Sequence, residues 1–194
     1  MVEVPAYVLA GGLSARFGSD KALVEIEGEV QLLRLLRQLG EIAPAARGDA
    51  HVVADRVDRY QALGITCLVD ARENGGPLAG LVTALQHRLQ NYGEGWLLLV
   101  NCDQVVWQAA WLAELLQHSH STRVVCFCED DRVQPLPGLY HSGVLPFALQ
   151  QLSKKDLSLK NLLSQVPSAT IATGSNPRWW SFNTLEELQR ISLP

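Results

Sequence analysis

Ala6-Tyr7-Val8-Leu9-Ala10-Gly11-Gly12-Leu13-Ser14-Ala15-Arg16-Phe17-Gly18-Ser19-Asp20-Lys21-Ala22-Leu23 is the stretch that decides the fold class. Ala6 to Leu9 is continuously apolar, as expected of a strand buried on both faces. It runs without a spacer into two adjacent glycines and a polar loop reaching about Lys21. Open α/β sheets bind ligands at this place, beyond the carboxyl end of a strand. Glycines let main-chain N–H groups approach an anion with no Cβ in the way. Arg16 can contact two phosphate oxygens at once, and Lys21 adds a point charge. The spacing is neither G-x-G-x-x-G nor G-x-x-x-x-G-K-S/T.

Outward from this loop, strands alternate with helical runs. Leu32, Leu33, Leu35, Leu36 and Leu39 recur at helical spacing, with Gly40 as the expected stop. Strands are expected at His51–Ala54, Thr66–Val69, Trp96–Val100 and Arg123–Cys128, and a shorter one at Leu136–Tyr140. Glu129-Asp130-Asp131 reads as a solvated turn. Helices are expected from Leu78 to Leu89, around Trp111–Leu116, and over Leu145–Leu152 and Leu157–Leu163. Pro77 suits a first helical position. Ala169–Thr173 and Trp179–Phe182 read as extended, and Thr184 and Glu187 as the capping box of a last helix. The alternation predicts a mostly parallel sheet with helices on both faces.

The chain of 194 residues is long enough for one domain with a sizeable core. Hydrophobic residues make up 47% and charged residues 19%, which excludes intrinsic disorder. A net charge of −4 does not support a broad nucleic-acid or membrane footprint, so a phosphate-rich ligand needs a local site. No apolar run is long enough to cross a bilayer, and the N-terminus carries no export signal, so a cytoplasmic location is expected. Cys67, Cys102, Cys126 and Cys128 form no C-x-x-C pair and read as reduced thiols.

Three further features converge on the edge defined by the glycine loop. Asp103 follows the apolar Trp96–Val100 strand, and Asp70 ends the Thr66–Val69 strand. A carboxylate there suits a divalent cation that also binds nucleotide phosphates. Gly75-Gly76-Pro77-Leu78-Ala79-Gly80 opens a helix, where free N–H groups face a ligand. No G-x-S-x-G elbow supports a serine triad.

Together these residues carry a resemblance. Leu9-Ala10-Gly11-Gly12-x-Ser14-x-Arg16-x-Gly18-x-Asp20-Lys21-Ala22-Leu23 resembles the signature loop of the MobA-like molybdenum cofactor guanylyltransferases. Gly76-Pro77-Leu78-Ala79-Gly80 resembles that family's second loop, and Cys102-Asp103 its metal-binding Cys-Asp. Gln134-Pro135 with Gly138-Leu139-Tyr140 is similar to a segment that usually begins His-Pro. Phe182-Asn183-Thr184-Leu185-Glu186-Glu187-Leu188 is similar to the near-terminal Asn-x-Asn-Thr-Pro-Glu-Glu-Leu element. The match covers the whole chain in order.

The resemblance implies a three-layer α/β sandwich of the nucleotide-diphospho-sugar transferase type, with a Rossmann-like, mostly parallel twisted sheet. It implies one domain over 1–194, with a nucleotide half to about 110 and an acceptor half from about 111. The implied reaction is transfer of GMP from GTP to molybdopterin with release of pyrophosphate. The implied cofactor is Mg²⁺ held by Asp103. Arg16, Lys21 and Asp103 would be catalytic. Leu9, Ala10, Gly11, Gly12, Lys21, Asp70 and Asp103 would bind nucleotide, and Gly80 and Asn183 the acceptor. Other molybdenum-cofactor biosynthesis proteins and acceptor molybdoenzymes are the implied partners.

The chain departs from the family pattern at four places. Val53-Ala54-Asp55-Arg56 stands where an Asn-x-Asn-Arg-like run is usual, and Gln104-Val105-Val106 follows Asp103. Gln134 replaces the expected His, and Ser181 the first Asn of the last element. A related nucleotidyltransferase using CTP or a sugar phosphate, and a non-catalytic GTP- or molybdopterin-binding module, are the alternatives at this stage.

Overall fold

The computed structural model of the protein describes residues 4–10, 20–42, 50–173, 181–182 and 184–190. Among the described residues, nine strands and six helices follow in the order β1 (Ala6–Leu9), β2 (Glu25–Ile26), β3 (Glu29–Val30), α1 (Gln31–Ile42), β4 (Ala50–Ala54), β5 (Leu68–Val69), α2 (Gly76–Tyr92), β6 (Trp96–Asn101), α3 (Ala109–Gln117), β7 (Val124–Glu129), β8 (Arg132–His141), α4 (Leu145–Ser153), α5 (Leu159–Leu163), β9 (Ser168–Ala172) and α6 (Leu185–Arg190).

Seven strands form one sheet in the order β5-β4-β1-β6-β8-β7-β9. All neighbours are parallel except β8, which runs antiparallel to both β6 and β7. The apolar strand β6 divides between two layers because successive side chains point to opposite faces. Leu98 and Val100 pack with Leu32, Leu35 and Leu39 of α1 and Trp111, Leu112 and Leu115 of α3. Leu97 and Leu99 pack with Leu78, Leu81, Val82 and Leu85 of α2 and Ala148 and Leu152 of α4. Helices therefore cover both faces, and the expected three-layer α/β sandwich is what forms.

Several elements differ from expectation. Helix α1 continues through Gly40 to Ile42, since an exposed glycine weakens a helix without ending it. The hairpin β2–β3 was not expected; Glu27 and Gly28 both take positive φ (52° and 80°), as a two-residue hairpin turn requires. Asp130 and Asp131 make the same kind of turn, so Glu129 closes β7 and Arg132 opens β8. Strand β5 is only two residues long, and β8 is ten. Helix α5 begins later than expected because the Ser158 side chain caps it by accepting from the Asn161 N–H. Thr184 caps α6 as expected, its Oγ1 accepting from the Glu187 N–H at 3.1 Å. Trp179 and Trp180, of the expected extended run Trp179–Phe182, lie outside the described residues.

Candidate active site

The chain steps from β1 outward through β4 to β5, then returns to the other side of β1 as β6. Connections from β1 and β6 therefore diverge, and the crevice between their carboxyl ends is where such sheets take ligands. Leu9 pairs with Asn101 across this boundary. The Cys102 N–H donates to the Leu9 carbonyl at 3.0 Å and the Ala10 N–H to the Val53 carbonyl at 2.9 Å. The Ala10 N–H and the Leu9 carbonyl are therefore already engaged within the sheet. Gly11, Gly12 and Arg16 lie outside the described residues, as does Asn183.

Lys21 and Asp103 meet at the crevice, Nζ to Oδ2 at 3.3 Å, with both side chains mostly buried. The Lys21 ammonium also lies 5.8 Å from the centre of the Phe182 ring. Burial pushes the Asp103 carboxyl up, against the pull of Lys21 and a hydrogen bond from the Asn101 side chain. Gln31, fully buried at the start of α1, supports this turn from beneath. Its Nε2 donates to the carbonyls of Cys102 at 3.0 Å and Gln104 at 2.7 Å. Gln104, one of the departures, is an internal brace: its own Nε2 donates to the Val106 carbonyl. The near-terminal element is stitched to the same turn. Gln104 bridges to Ser181, and the Phe182 N–H donates to the Asp103 carbonyl at 3.3 Å. Cys102, beside Asp103, is a poor nucleophile, because burial, Asp103 and Asp20 push its thiol up to about 12.

Asp20 had no expected role, yet it organises the loop end. Its Oδ1 accepts from the Ala22 N–H at 3.1 Å and so caps the short helical turn Lys21–Leu23 that carries Lys21. Its Oδ2 accepts from Arg59 Nε at 3.1 Å, Arg59 Nη2 at 2.8 Å and the Tyr60 hydroxyl at 3.0 Å. Arg59 Nη1 donates to Asp55 as well. Asp55, standing in the departed Asn run, is therefore tied to Arg59, which holds its carboxyl below the usual range. Nothing in the sequence of Arg56-Val57-Asp58-Arg59 signals this clamp.

Asp70 and Gly80 sit together on the α2 side. The Asp70 N–H donates to the Ala54 carbonyl. Burial, with the Asp55 charge second, pushes its carboxyl up to about 6. A Cβ added at Gly80 would lie 2.5 Å from Leu9 Cδ2 and 3.3 Å from Asp70 Oδ1. Gly80 is thus a packing residue that lets α2 approach the end of β1, and it does not line the cleft described next.

Beside Asp103 opens a cleft of about 410 Å³. It is lined by Asn101, Asp103 and Gln104, by Gln134–Pro137 and by Leu157–Lys160, together with Pro77 and Ser181. The cause lies in strand pairing. Strand β8 pairs with β6 only from Gly138 to His141. Its pairing with β7 shifts between Cys126, opposite Gly138, and Phe127, opposite Gln134. Pro135, Leu136 and Pro137 therefore bulge where β6 and β8 have parted, and prolines cost no ladder hydrogen bond there. The buried Tyr140 hydroxyl pins the bulge by donating to the Pro135 carbonyl at 2.8 Å. Sequence reading missed this device because the two prolines disguise the strand.

Among the described residues no three His, Cys, Asp or Glu side chains gather as a metal cage. Among the described residues, Asp103 is the sole acidic one lining the cleft. That donor set fits Mg²⁺, which takes one or two carboxylates and completes its shell with phosphate oxygens and water. No described helix is long and apolar enough to cross a membrane.

Comparison with known proteins agrees with this geometry. The model of the MobA-like NTP transferase domain matches residues 6–170. A Bacillus subtilis (strain 168) protein named "Probable molybdenum cofactor guanylyltransferase" is 33% identical over 88% of this chain and 84% of its own length. A Flavobacterium johnsoniae protein of the same name is 24% identical over 100% of this chain and 98% of its own. Among solved structures, molybdopterin-guanine dinucleotide biosynthesis protein A from Archaeoglobus fulgidus superposes with a TM-score of 0.80. It is 16% identical, with 96% of each chain covered. The bifunctional IspDF of Campylobacter jejuni superposes with a TM-score of 0.75 at 14% identity, covering 100% of this chain and 55% of that one. At such identities the structures speak for the fold alone, while the family model and the Bacillus relative speak for descent. The chain belongs to the MobA-like NTP transferase family.

Proposed function

We propose that this protein is a molybdenum cofactor guanylyltransferase, which transfers GMP from GTP to molybdopterin and releases pyrophosphate. The observation that carries the reading is the Lys21–Asp103 pair at the diverging ends of β1 and β6, beside a cleft large enough for a second substrate. The terminal phosphate oxygen of molybdopterin attacks the α-phosphorus of GTP. One P–O bond forms, the bond to the β-phosphate bridging oxygen breaks, and that oxygen leaves with pyrophosphate. Such chemistry needs positioning and charge stabilisation rather than a covalent enzyme intermediate.

Lys21 faces the triphosphate as a fixed positive charge, and Arg16 is assigned to the same phosphates. The Leu9–Gly12 segment and Asp70 are assigned to the nucleotide. Asp103 would hold Mg²⁺ together with phosphate oxygens, and the ion would supply charge compensation. The acceptor is assigned to the cleft lined by Gln134–Pro137 and Leu157–Lys160, and Asn183 is assigned to the acceptor as well. Gly80 contributes there through the placement of α2. On this reading GTP and molybdopterin are the substrates, and no nucleic acid takes part. The free thiols Cys67, Cys102, Cys126 and Cys128 suit a cytoplasmic location.

The test is incubation with GTP, CTP or ATP, magnesium and molybdopterin, with mass identification of the product. A guanine dinucleotide from GTP well ahead of the others is expected. Asp103→Asn should keep the fold and lower pyrophosphate release by about 10²-fold or more, since a metal ligand stabilises several kcal/mol of developing charge. Near-normal release by Asp103→Asn, or equal use of CTP, would overturn the assignment.

A further inference from the structure

Two carboxylates flank Lys21, and they are held in very different ways. Asp103 faces the cleft and takes its ion pair from Lys21 itself. Asp20, one residue before Lys21, faces away into a clamp. Arg59 places two donors on Asp20 Oδ2, and Tyr60 adds a third. The same guanidinium reaches Asp55 with its remaining arm. Arg59 and Asp20 are both mostly buried, with side chains 18% and 17% exposed, so solvent does not screen this pair as it would a surface one.

The base of the clamp is firm. Tyr60 is buried, and its carbonyl accepts from the N–H groups of Leu63 and Ile65. The Arg59 guanidinium lies 5.7 Å from the centre of the Tyr60 ring. The Asp20 charge stands beside the site, since Asp20 precedes Lys21 in the chain and caps the turn that carries it. Without compensation it would draw on the Lys21 charge and repel an incoming polyanion. Oδ1 of Asp20, meanwhile, starts the turn that aims Lys21. One carboxylate thus both orients Lys21 and threatens its charge, and Arg59 resolves the conflict.

We propose that Arg59 is a positioning residue for nucleotide binding: it fixes and neutralises Asp20 so that Lys21, next in the chain, is aimed at the triphosphate with its charge intact. The inference rests on the reading of the site as one for GTP. It concerns a residue outside the signature loop that touches no substrate.

The experiment compares wild type, Arg59→Ala, Arg59→Lys, Asp20→Asn and the double variant Arg59→Ala/Asp20→Asn. Each is measured for GTP binding by titration, for KM of GTP and kcat by pyrophosphate release, and for thermal midpoint. Arg59→Ala should raise the KM for GTP about tenfold, the scale of one lost charge-assisted contact. Adding Asp20→Asn should recover at least about threefold of it, because the amide oxygen still caps the Lys21–Leu23 turn and the charge is gone. Arg59→Lys should fall between wild type and Arg59→Ala, since charge remains but the fork is lost.

A purely structural role for Arg59 gives no such recovery, and a double variant no better than Arg59→Ala overturns the proposal. So does an Arg59→Ala protein within about twofold of wild type in GTP KM. If Arg59→Ala does not fold, Arg59→Lys alone and combined with Asp20→Asn gives the same comparison. Wild type that neither binds nor turns over GTP would overturn the function proposed above and this inference with it. Wild-type turnover with no change in Arg59→Ala overturns only the inference.

Discussion

Asp70 carries its charge in a place that burial penalises. It is half-buried at the end of β5, with Asp55 nearby and the Gly80 turn of α2 packed against it. Its folded-state pKa of about 6 lies above the ordinary value of 3.8. The folded chain therefore binds the proton more tightly than the unfolded chain does. This contribution to stability is fully present below about pH 3.8 and is lost as pH rises through about 6. At neutral pH the ionised Asp70 is a cost, which a nucleotide contact would justify. Asp70→Asn should raise the thermal midpoint at pH 7, by an amount corresponding to roughly 1 kcal/mol or less after allowance for solvent screening. The gain over wild type should shrink from pH 6 to pH 4. The same variant should raise the KM for GTP. Thermal scans across that pH range, read as the difference from wild type, check the first part, because Asp55 and Glu29 titrate with the opposite sign in both proteins. A variant that is stabilised with unchanged GTP KM would remove Asp70 from the nucleotide site. Asp70, Asp103 and Lys21 were legible in the sequence because each stands next to a strand end or a glycine loop. What they touch was not, since Gly80 beside Asp70 and Phe182 beside Lys21 and Asp103 are brought in by the fold.

Strand β8 shows how an element can be half hidden in its own sequence. Pro135 and Pro137 argue against a strand, and sequence reading accordingly confines it to Leu136–Tyr140. The strand runs from Arg132 to His141 because the prolines occupy the bulge, beyond the last β6 pair, where no ladder bond is lost. Gly138 and Tyr140 make that bulge feasible. A Cβ at Gly138 would stand 2.5 Å from the Pro135 carbonyl oxygen, a backbone atom with little room to yield. Tyr140→Phe removes the hydroxyl that the Pro135 carbonyl accepts from, at a cost of about 1 kcal/mol in urea unfolding. Since the bulge forms a cleft wall, both Tyr140→Phe and Gly138→Ala should raise the KM for molybdopterin by severalfold and leave the KM for GTP within about twofold. A GTP effect as large as the acceptor effect would mean that the bulge serves the fold at large and not the acceptor. Helix α1 teaches a related lesson: Gly40 was read as a stop, but an open, solvent-facing helical position needs no Cβ, and the helix continues.

Across the whole molecule, the alternation of apolar strands and amphipathic helices was enough to foresee a mostly parallel sheet with two helical layers. The order of the strands and the reversal of β8 were not foreseen, because pairing is decided by contacts between residues tens of positions apart. Lys21 and Asp103 come from before residue 110, whereas Gln134–Pro137 and Leu157–Lys160, which line the cleft together with Asn101 and Asp103, come from after it. If the halves serve different substrates, a charge change on one wall should be felt by one substrate only. Lys160 is the test case: exposed, and the sole cation lining the cleft among the described residues. A ligand bearing a phosphate would sit between Lys160 and the reacting centre. Lys160→Glu reverses the charge without touching the core, so its thermal midpoint should match wild type. It should raise the KM for molybdopterin by about tenfold, less so as salt is added, and leave the KM for GTP within about twofold. Lys21→Ala should instead impair GTP binding and turnover together, because its ammonium lies at the crevice with Asp103. Equal penalties on both substrates from Lys160→Glu would mean that the cleft is shared, and that the boundary between a nucleotide half and an acceptor half does not run through Asp103.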